Sequence, residues 1–338
     1  MNNKKKLIRT KEENVEQLYK QLLHGNRAAL AKAITLVESN AERHFTQSQH
    51  ILQNVIDRTG NSIRIGISGV PGAGKSTFIE AFGLYLCSIG KKVAVLAVDP
   101  SSSKSGGSIL GDKTRMEELA KHPQAFIRPS PSGGTLGGVN RKTRESILLC
   151  EAAGYDVILV ETVGVGQSEG IVRDMVDFFL LLVLTGAGDE LQGMKKGIME
   201  LIDLILVNKA DGENLRNANR TAREYNQILH FLQPATPGWQ TKAKTCSAIN
   251  GTGIMEAWEV ITQFAQNTKD SDQFEKRRSE QKQQWFFASL KDELERRFFQ
   301  HSTIKTQLPI VKKKLDQENM PVSTAVKELL DQYDRREE

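Results

Sequence analysis

Between residues 63 and 248 short apolar runs alternate with stretches whose apolar residues recur at helical spacing. The runs IRIGIS, VAVLAVD, AFIRPS, DVILVE, FFLLLVL, LILVNK and AKTCSA carry few polar interruptions, and most are rich in β-branched residues or leucine. A strand wetted on one face alternates polar and apolar positions, so continuous runs of this kind predict parallel strands covered on both faces. Upstream, Val15/Leu18/Leu22, Leu30/Ala33/Ile34/Val37 and Ile51/Val55 predict three helices, with Asn26 capping the second. After Asn267 glycine disappears and charged helical sequence takes over, with an apolar stripe at Phe287, Leu290, Leu294 and Phe298. A further helix is expected from Pro309 to beyond Leu315, and another after Pro321. This tail is expected to lack a core of its own. Phe286/Phe287 and Phe298/Phe299 widen its stripe beyond what one surface needs, which predicts an arm that packs on the core and on a second copy.

The first run leads directly into a chemical motif. Gly69–Val70–Pro71–Gly72–Ala73–Gly74–Lys75–Ser76, followed by Thr77, fits G-x-x-x-x-G-K-[ST] between a strand and a helical pattern. Glycines let successive N–H groups turn inward on a phosphate, and the helix N-terminus adds its dipole to the same anion. Lys75 is expected to reach the terminal phosphates and Ser76 to hold a magnesium ion beside them. The fold class predicted is therefore α/β: a P-loop NTPase with a mainly parallel sheet flanked by helices. Residues 1–60 form an N-terminal helical cap, 61–267 the nucleotide-binding domain and 268–338 a C-terminal helical dimerisation arm.

Other strand ends add to the site. VLAVDPSS ends its strand at Asp99, placing a carboxylate at the carboxyl edge of the sheet, where such folds bind ligands. ETVGVGQSE supplies Glu161, expected at the metal or its water, and Gly164, whose N–H can sense the terminal phosphate. LILVNKADG supplies Asn208, Lys209 and Asp211. A carboxylate there can accept from both the ring imino group and the exocyclic amine of guanine, a donor pair that adenine lacks, and this decides GTP over ATP. CSAINGTG places Ser247 and Ala248 where a backbone N–H can meet the guanine carbonyl. SKSGGSILGDKTRM, with Asp112, Lys113 and Arg115, suits a loop that orders around magnesium and phosphate, and TGAGDELQGMKKGIM adds Asp189, Lys195 and Lys196.

Composition narrows the partners. The chain has 46 basic and 41 acidic residues, interspersed along 338 positions, which gives little support to a nucleic-acid or membrane role. FFLLLVLTGAG is bounded by Asp177 and Asp189 and is too short to span a bilayer. Three separated cysteines read as buried thiols in a reducing compartment, and no signal-peptide pattern or Arg/Ser-rich leader follows the basic start, so a bacterial cytoplasmic setting is expected.

VPGAGKST, VLAVDPSSSKSGGSILGDKTRM, RPSPSGGTLGG, ETVGVGQSE, TGAGDELQGMKKGIME and NKADG resemble, nearly word for word, the methylmalonyl-CoA mutase-associated GTPases of the MeaB/ArgK and methylmalonic aciduria type A kind, within the SIMIBI class of P-loop GTPases. The resemblance covers residues 60 to 255. It implies a homodimeric, magnesium-dependent GTPase, cycling between GTP and GDP, that escorts a cobalamin-dependent acyl-CoA mutase. The implied role is to gate adenosylcobalamin delivery by a cobalamin adenosyltransferase and to protect or reactivate the mutase. Carried onto this sequence, Lys75 and Ser76 bind phosphate and magnesium, Asp99, Asp112 and Glu161 form the acidic metal and water shell, and Asn208, Lys209, Asp211 and Ser247 hold the base. The segment from Gly186 to Lys196 corresponds to an extra switch, with Asp189 and Lys195 its working residues. No side chain in ETVGVGQSE is an obvious general base, with Glu161 engaged at the metal and Gln167 six residues past the strand end, so unaided turnover is expected to be slow. Two rivals are a kinase acting on a small molecule or transport protein and a nickel-insertion GTPase. The second wants clustered Cys/His ligands, whereas the six histidines are scattered.

Overall fold

The computed structural model describes residues 15–39, 41–98, 116–129, 136–162, 169–186, 196–317 and 319–334. The chain divides into two compact units, 1–281 and 282–338.

In the first unit every apolar run singled out above is a strand: β1 Ile63–Gly69, β2 Val93–Val98, β3 Ala125–Arg128, β4 Val157–Thr162, β5 Phe178–Val183, β6 Leu204–Val207 and β7 Lys242–Thr245. All seven run parallel in one sheet of order β3-β2-β4-β1-β5-β6-β7. Strand β1 lies in the middle, with Ile67 in register with Glu161 of β4 on one side and Leu180 of β5 on the other. The loop leaving β1 therefore opens between the ends of β4 and β5, at the point where strand order reverses and where folds of this kind hold ligands.

Among the described residues the helices of this unit include α1 over 15–23, α2 Arg27–Glu38, α3 Glu42–Val55, α4 Lys75–Ser88, α5 Glu117–Lys121, α6 Leu136–Ala152, α7 Glu169–Arg173, α8 Lys196–Met199, α9 Leu215–Leu229 and α10 Ile254–Asp270. Asn26 caps α2 as predicted, its side chain accepting from Ala29 N–H at 2.9 Å. The two sheet faces are separate apolar layers because alternate residues of a strand point opposite ways. Phe179, Leu181 and Val183 join Leu22, Leu30, Ile34 and Ile51 of the N-terminal helices, so these helices share one core with the sheet. Phe178, Leu180 and Leu182 face the other way, onto Phe78, Phe82 and Phe264 of α4 and α10. A fully buried side chain of this size contributes roughly 1.5–3 kcal/mol, so both layers stabilise the sheet. Among the described residues no helix is long and apolar enough to cross a membrane.

At the amino-terminal edge of the sheet, opposite the loop after β1, buried carboxylates meet arginines from several elements. The long helix α11, Gln273–Gln300, contributes Arg278, whose Nε and Nη2 donate to Asp177 at 2.8 and 2.7 Å. Asp177 also accepts from Arg64 N–H at 2.8 Å, while Arg64 is paired with Glu151 through Nε and Nη2, both at 2.9 Å. Nearby, Arg173 donates to Asp203 at 2.6 Å and Asp203 accepts the Phe179 N–H at 2.9 Å. Burial alone would raise the Asp177 carboxyl, but the Arg278 hydrogen bonds and the charges of Arg278 and Arg64 outweigh it and hold that carboxyl below its usual range.

The second unit departs from expectation in two ways. Helix α12, Ser302–Asp316, begins seven residues before Pro309 and carries that proline in its interior. Proline removes one intrahelical hydrogen bond, and the helix persists because Ile304 and Val311 on either side are fully buried. The tail also has a core, in which Ile304, Val311, Ala325 and Leu329 pack with Phe298, Leu308, Leu315, Met320 and Tyr333 between α12 and α13, Val322–Asp334. In α11 the predicted stripe splits. Phe298 stacks near Tyr333 at 5.1 Å, whereas Phe287 and Leu294 are 66% and 56% exposed.

Candidate functional site

Gly69 closes β1, and a Cβ there would come within 2.5 Å of the Leu182 carbonyl oxygen of β5, so only glycine lets the loop start this close to the sheet. Gly74 precedes α4 at φ 82°, a left-handed conformation costly for other residues, and a Cβ there would lie 2.8 Å from Asn208 Nδ2. Helix α4 has no side-chain cap and no acidic residue in its first turn. Its amino-terminal dipole and first-turn amides thus face the loop without competition from a neighbouring carboxylate on the same helix.

Lys75 opens α4, and its ammonium donates back to the Gly69 carbonyl at 2.7 Å and the Val70 carbonyl at 3.4 Å, within the loop it belongs to. Ser76 follows, its hydroxyl donating to Glu161 Oε1 at 3.2 Å. Glu161 is almost fully buried near the end of β4, while the next residue, Thr162, donates to Ser68 Oγ of β1 at 2.9 Å. A serine hydroxyl from the first turn of α4 and a carboxylate from the end of β4 form an oxygen donor set suited to a hard divalent cation. Asp99, Asp112 and Gly164, expected beside them, lie outside the described residues, as do Asp189 and Lys195. Lys196 opens α8.

The guanine motif lies beside this loop and is bonded to it. Asn208 is buried, and its Nδ2 donates to the Ala73 carbonyl of the phosphate loop at 2.8 Å. Its Oδ1 accepts from Ala248 N–H at 3.3 Å and from the Cys246 thiol at 3.4 Å. Burial pushes the Cys246 thiol up to about 12, so it stays protonated and remains a donor at neutral pH. Asn208 therefore joins three loops with one amide. Asp211 accepts the Ser247 hydroxyl at 2.5 Å, and Ser247 N–H in turn donates to the Thr252 carbonyl at 2.9 Å, which fixes the loop after β7. Between them Lys209 takes φ 58°, a left-handed turn that costs a non-glycine residue roughly 1–2 kcal/mol. The Lys209 carbonyl is held by Asn214 Nδ2 at 2.7 Å. Sequence pattern alone missed Cys246, Asn214 and Thr185, because their partners are set by tertiary proximity and no motif spacing marks them.

Other grooves lie away from these residues. One of about 670 Å³ lies among Val15, Leu18, Ala31 and Leu36 of the amino-terminal helices and includes none of the motif residues. The site is recognised by chemistry instead: phosphate loop, acid and base-reading turn meet at the carboxyl ends of β1, β4 and β6. A family model described as methylmalonyl Co-A mutase-associated GTPase MeaB matches residues 30–303. The chain belongs to the MeaB family. It is accordingly a P-loop GTPase, and guanine nucleotide is its ligand class. Among MeaB relatives, GTPase ArgK of Escherichia coli is 49% identical over 283 residues, 84% of this chain and 86% of that protein. The methylmalonic aciduria type A homolog, mitochondrial, of Mus musculus is 46% identical over 311 residues, 89% of this chain and 75% of that one. Among solved structures, one titled LAO/AO transport system kinase superposes with a TM-score of 0.75 at 38% identity, covering 95% of this chain and 97% of that chain. The MeaB description carries the mutase in its name, whereas that structural title carries a kinase.

Proposed function

We propose that this MeaB-family GTPase is a chaperone of a cobalamin-dependent acyl-CoA mutase, using GTP hydrolysis to gate adenosylcobalamin loading and to protect or reactivate the mutase. The observation that carries the reading is the bond from Asn208 to the Ala73 carbonyl, which joins a phosphate loop to a guanine-type turn, in a chain whose family is described by its association with methylmalonyl-CoA mutase.

In this reading Gly69 to Thr77 cradle the phosphates of GTP through main-chain N–H groups and the α4 terminus, and Lys75 neutralises charge on the β- and γ-phosphates. Ser76 and Glu161 would hold magnesium, with Asp99 and Asp112 completing the acidic shell. Bound there, magnesium supplies charge neutralisation on the phosphate oxygens. Gly164 is assigned to the terminal phosphate. Asp211, oriented by Ser247, reads the guanine edge, Lys209 covers the ring, and Ala248 N–H meets the guanine carbonyl. Asp189 and Lys195 are assigned to a switch that answers the mutase. Water attacks the γ-phosphate in line, and with no dedicated base the unaided rate is low, which suits a timer more than a metabolic enzyme.

Asp211→Asn tests the base assignment. Replacing a charged acceptor by an amide removes hydrogen bonds worth about 1.5–3 kcal/mol, so GTP affinity should fall about 10- to 100-fold. Xanthosine triphosphate, which offers a carbonyl where guanine has its amine, should bind better than GTP. Unchanged GTP selectivity measured by calorimetry would overturn the assignment.

The same reading includes a homodimer and a cobalamin adenosyltransferase as partners. Phe286, Phe287, Leu290, Leu294 and Phe299 are each between 44% and 66% exposed on α11, more apolar surface than a lone helix leaves in water. Sedimentation should give twice the chain mass, and Phe287→Glu/Leu294→Glu should shift it to one. A monomeric wild type at micromolar concentration would count against this arm as a dimer contact.

A further inference from the structure

Asn214 is the last residue of a 3-10 turn, Gly212–Asn214, that runs directly into α9, and its helical φ −79° and ψ −13° differ from the extended backbone from which an asparagine caps its own helix. It makes no such cap. Its Oδ1 accepts instead from Thr185 Oγ1 at 2.7 Å, its Nδ2 donates to the Lys209 carbonyl at 2.7 Å, and its backbone N–H donates to the Asp211 carbonyl at 3.0 Å. The side-chain partners come from different strands. Lys209 lies in the turn after β6, and Thr185 stands just past β5, immediately before Gly186 at φ 81°.

Lys209 sets the geometry of that turn. Its left-handed φ of 58° rotates the following peptide away from the strand axis, and that peptide leads through Ala210 to Asp211. An amide proton on the Lys209 carbonyl fixes the rotation, so the direction in which the Asp211 carboxylate leaves the turn depends on Asn214. The Lys209 carbonyl can only accept and so takes the Asn214 nitrogen, while the Thr185 hydroxyl holds the remaining oxygen and anchors the amide in place.

We propose that Thr185 and Asn214 form a two-link relay that positions the guanine-reading turn, Thr185 anchoring the Asn214 amide and Asn214 holding the Lys209 peptide. The relay rests on the assignment of Asp211 to the guanine ring. Both are positioning residues, acting on the base through Lys209 and Asp211. Thr185 is also where the chain leaves β5 for segment 187–195, so the relay ties the base-reading turn to the root of the segment carrying Asp189 and Lys195.

The test is the ratio of dissociation constants for inosine and guanosine diphosphate, measured by calorimetry on the full chain with magnesium. Inosine lacks the exocyclic amine, so the ratio reports how well Asp211 faces the base edge, and a role confined to stability would leave it unchanged. The wild type should prefer guanosine diphosphate, and equal affinities would overturn the Asp211 assignment and the relay with it. Given that preference, Asn214→Ala should lower the ratio about fivefold, as expected for one misplaced hydrogen bond. Asn214→Asp keeps the acceptor for Thr185 but loses the donor to Lys209, and should fall as far. Thr185→Val should lower the ratio about threefold, and Thr185→Val/Asn214→Ala no further than Asn214→Ala alone, because residues acting in series are not additive. A ratio unchanged in both Asn214 variants overturns the relay, and so does a double variant whose loss is the product of the single losses. Should Asn214→Ala not fold, Thr185→Ser and Thr185→Val carry the test: serine keeps the hydroxyl and should retain the ratio that valine loses, and equal ratios would overturn the proposal.

Discussion

Lys75→Ala is expected to lower GTP turnover about a thousandfold while leaving the fold in place. The Lys75 ammonium lies within the loop after β1, 2.7 Å from the Gly69 carbonyl, and under the proposed assignment it faces the β- and γ-phosphates. A unit charge about 4 Å from a phosphate in a partly wetted site contributes about 4 kcal/mol, and each 1.36 kcal/mol lost from transition-state stabilisation is tenfold in rate. Lys75 is half-buried and opens α4 at the edge of the site, away from the two apolar layers that hold the sheet, so circular dichroism should stay native. Phosphate release under single-turnover conditions separates the effect on chemistry from that on binding. A variant within tenfold of wild type would remove Lys75 from the reaction.

Arg278→Ala is expected to destabilise the protein by about 3–5 kcal/mol, the usual consequence of leaving one member of a buried ion pair without its partner. Asp177 is almost fully buried and meets Arg278 through both carboxylate oxygens, while the same guanidinium also donates to the Gly60 and Ser62 carbonyls ahead of β1. Removing it takes two hydrogen bonds from Asp177, which keeps the one from Arg64 N–H, and takes a donor from each carbonyl. The pH dependence has a definite sign. Because the Asp177 carboxyl is held below its usual range in the fold, the pair contributes fully above about pH 4, the unfolded value, and its contribution fades as pH falls through the lower folded value. In Arg278→Ala the hydrogen bonds and charge of Arg278 are gone, so that carboxyl sits higher than in the wild type. The gap between variant and wild type should therefore be widest near neutrality and narrow in acid, as Asp177 becomes protonated in both. Urea midpoints at pH 7 and in acid measure this directly, and a constant gap would show that charge at Asp177 is not the cause.

Much of the architecture was legible because it follows from local rules. A run such as FFLLLVL has no polar position to offer water, so it must be a strand buried on both faces, and β5 is one. Asn26 announces α2 because its short side chain accepts from the helix's own amide, and the phosphate loop is legible because its glycines are needed for backbone geometry. Illegible features depend on residues distant in sequence. Pro309 reads as a helix start from its missing N–H, yet packing around Ile304 and Val311 carries α12 through it. The small core of the tail needed knowledge of which faces of α12 and α13 meet. Thr185 and Asn214 are 29 residues apart and carry no motif, so only the folded chain brings their side chains together.

GTP hydrolysis by the purified protein, alone and with a cobalamin-dependent acyl-CoA mutase and its cobalamin, with ATP as control, tests the chaperone role most directly. Slow hydrolysis of GTP but not ATP, accelerated when the mutase is added, is the predicted result. Turnover indifferent to the mutase, or phosphate appearing on an acceptor other than water, would contradict the chaperone reading and favour a kinase.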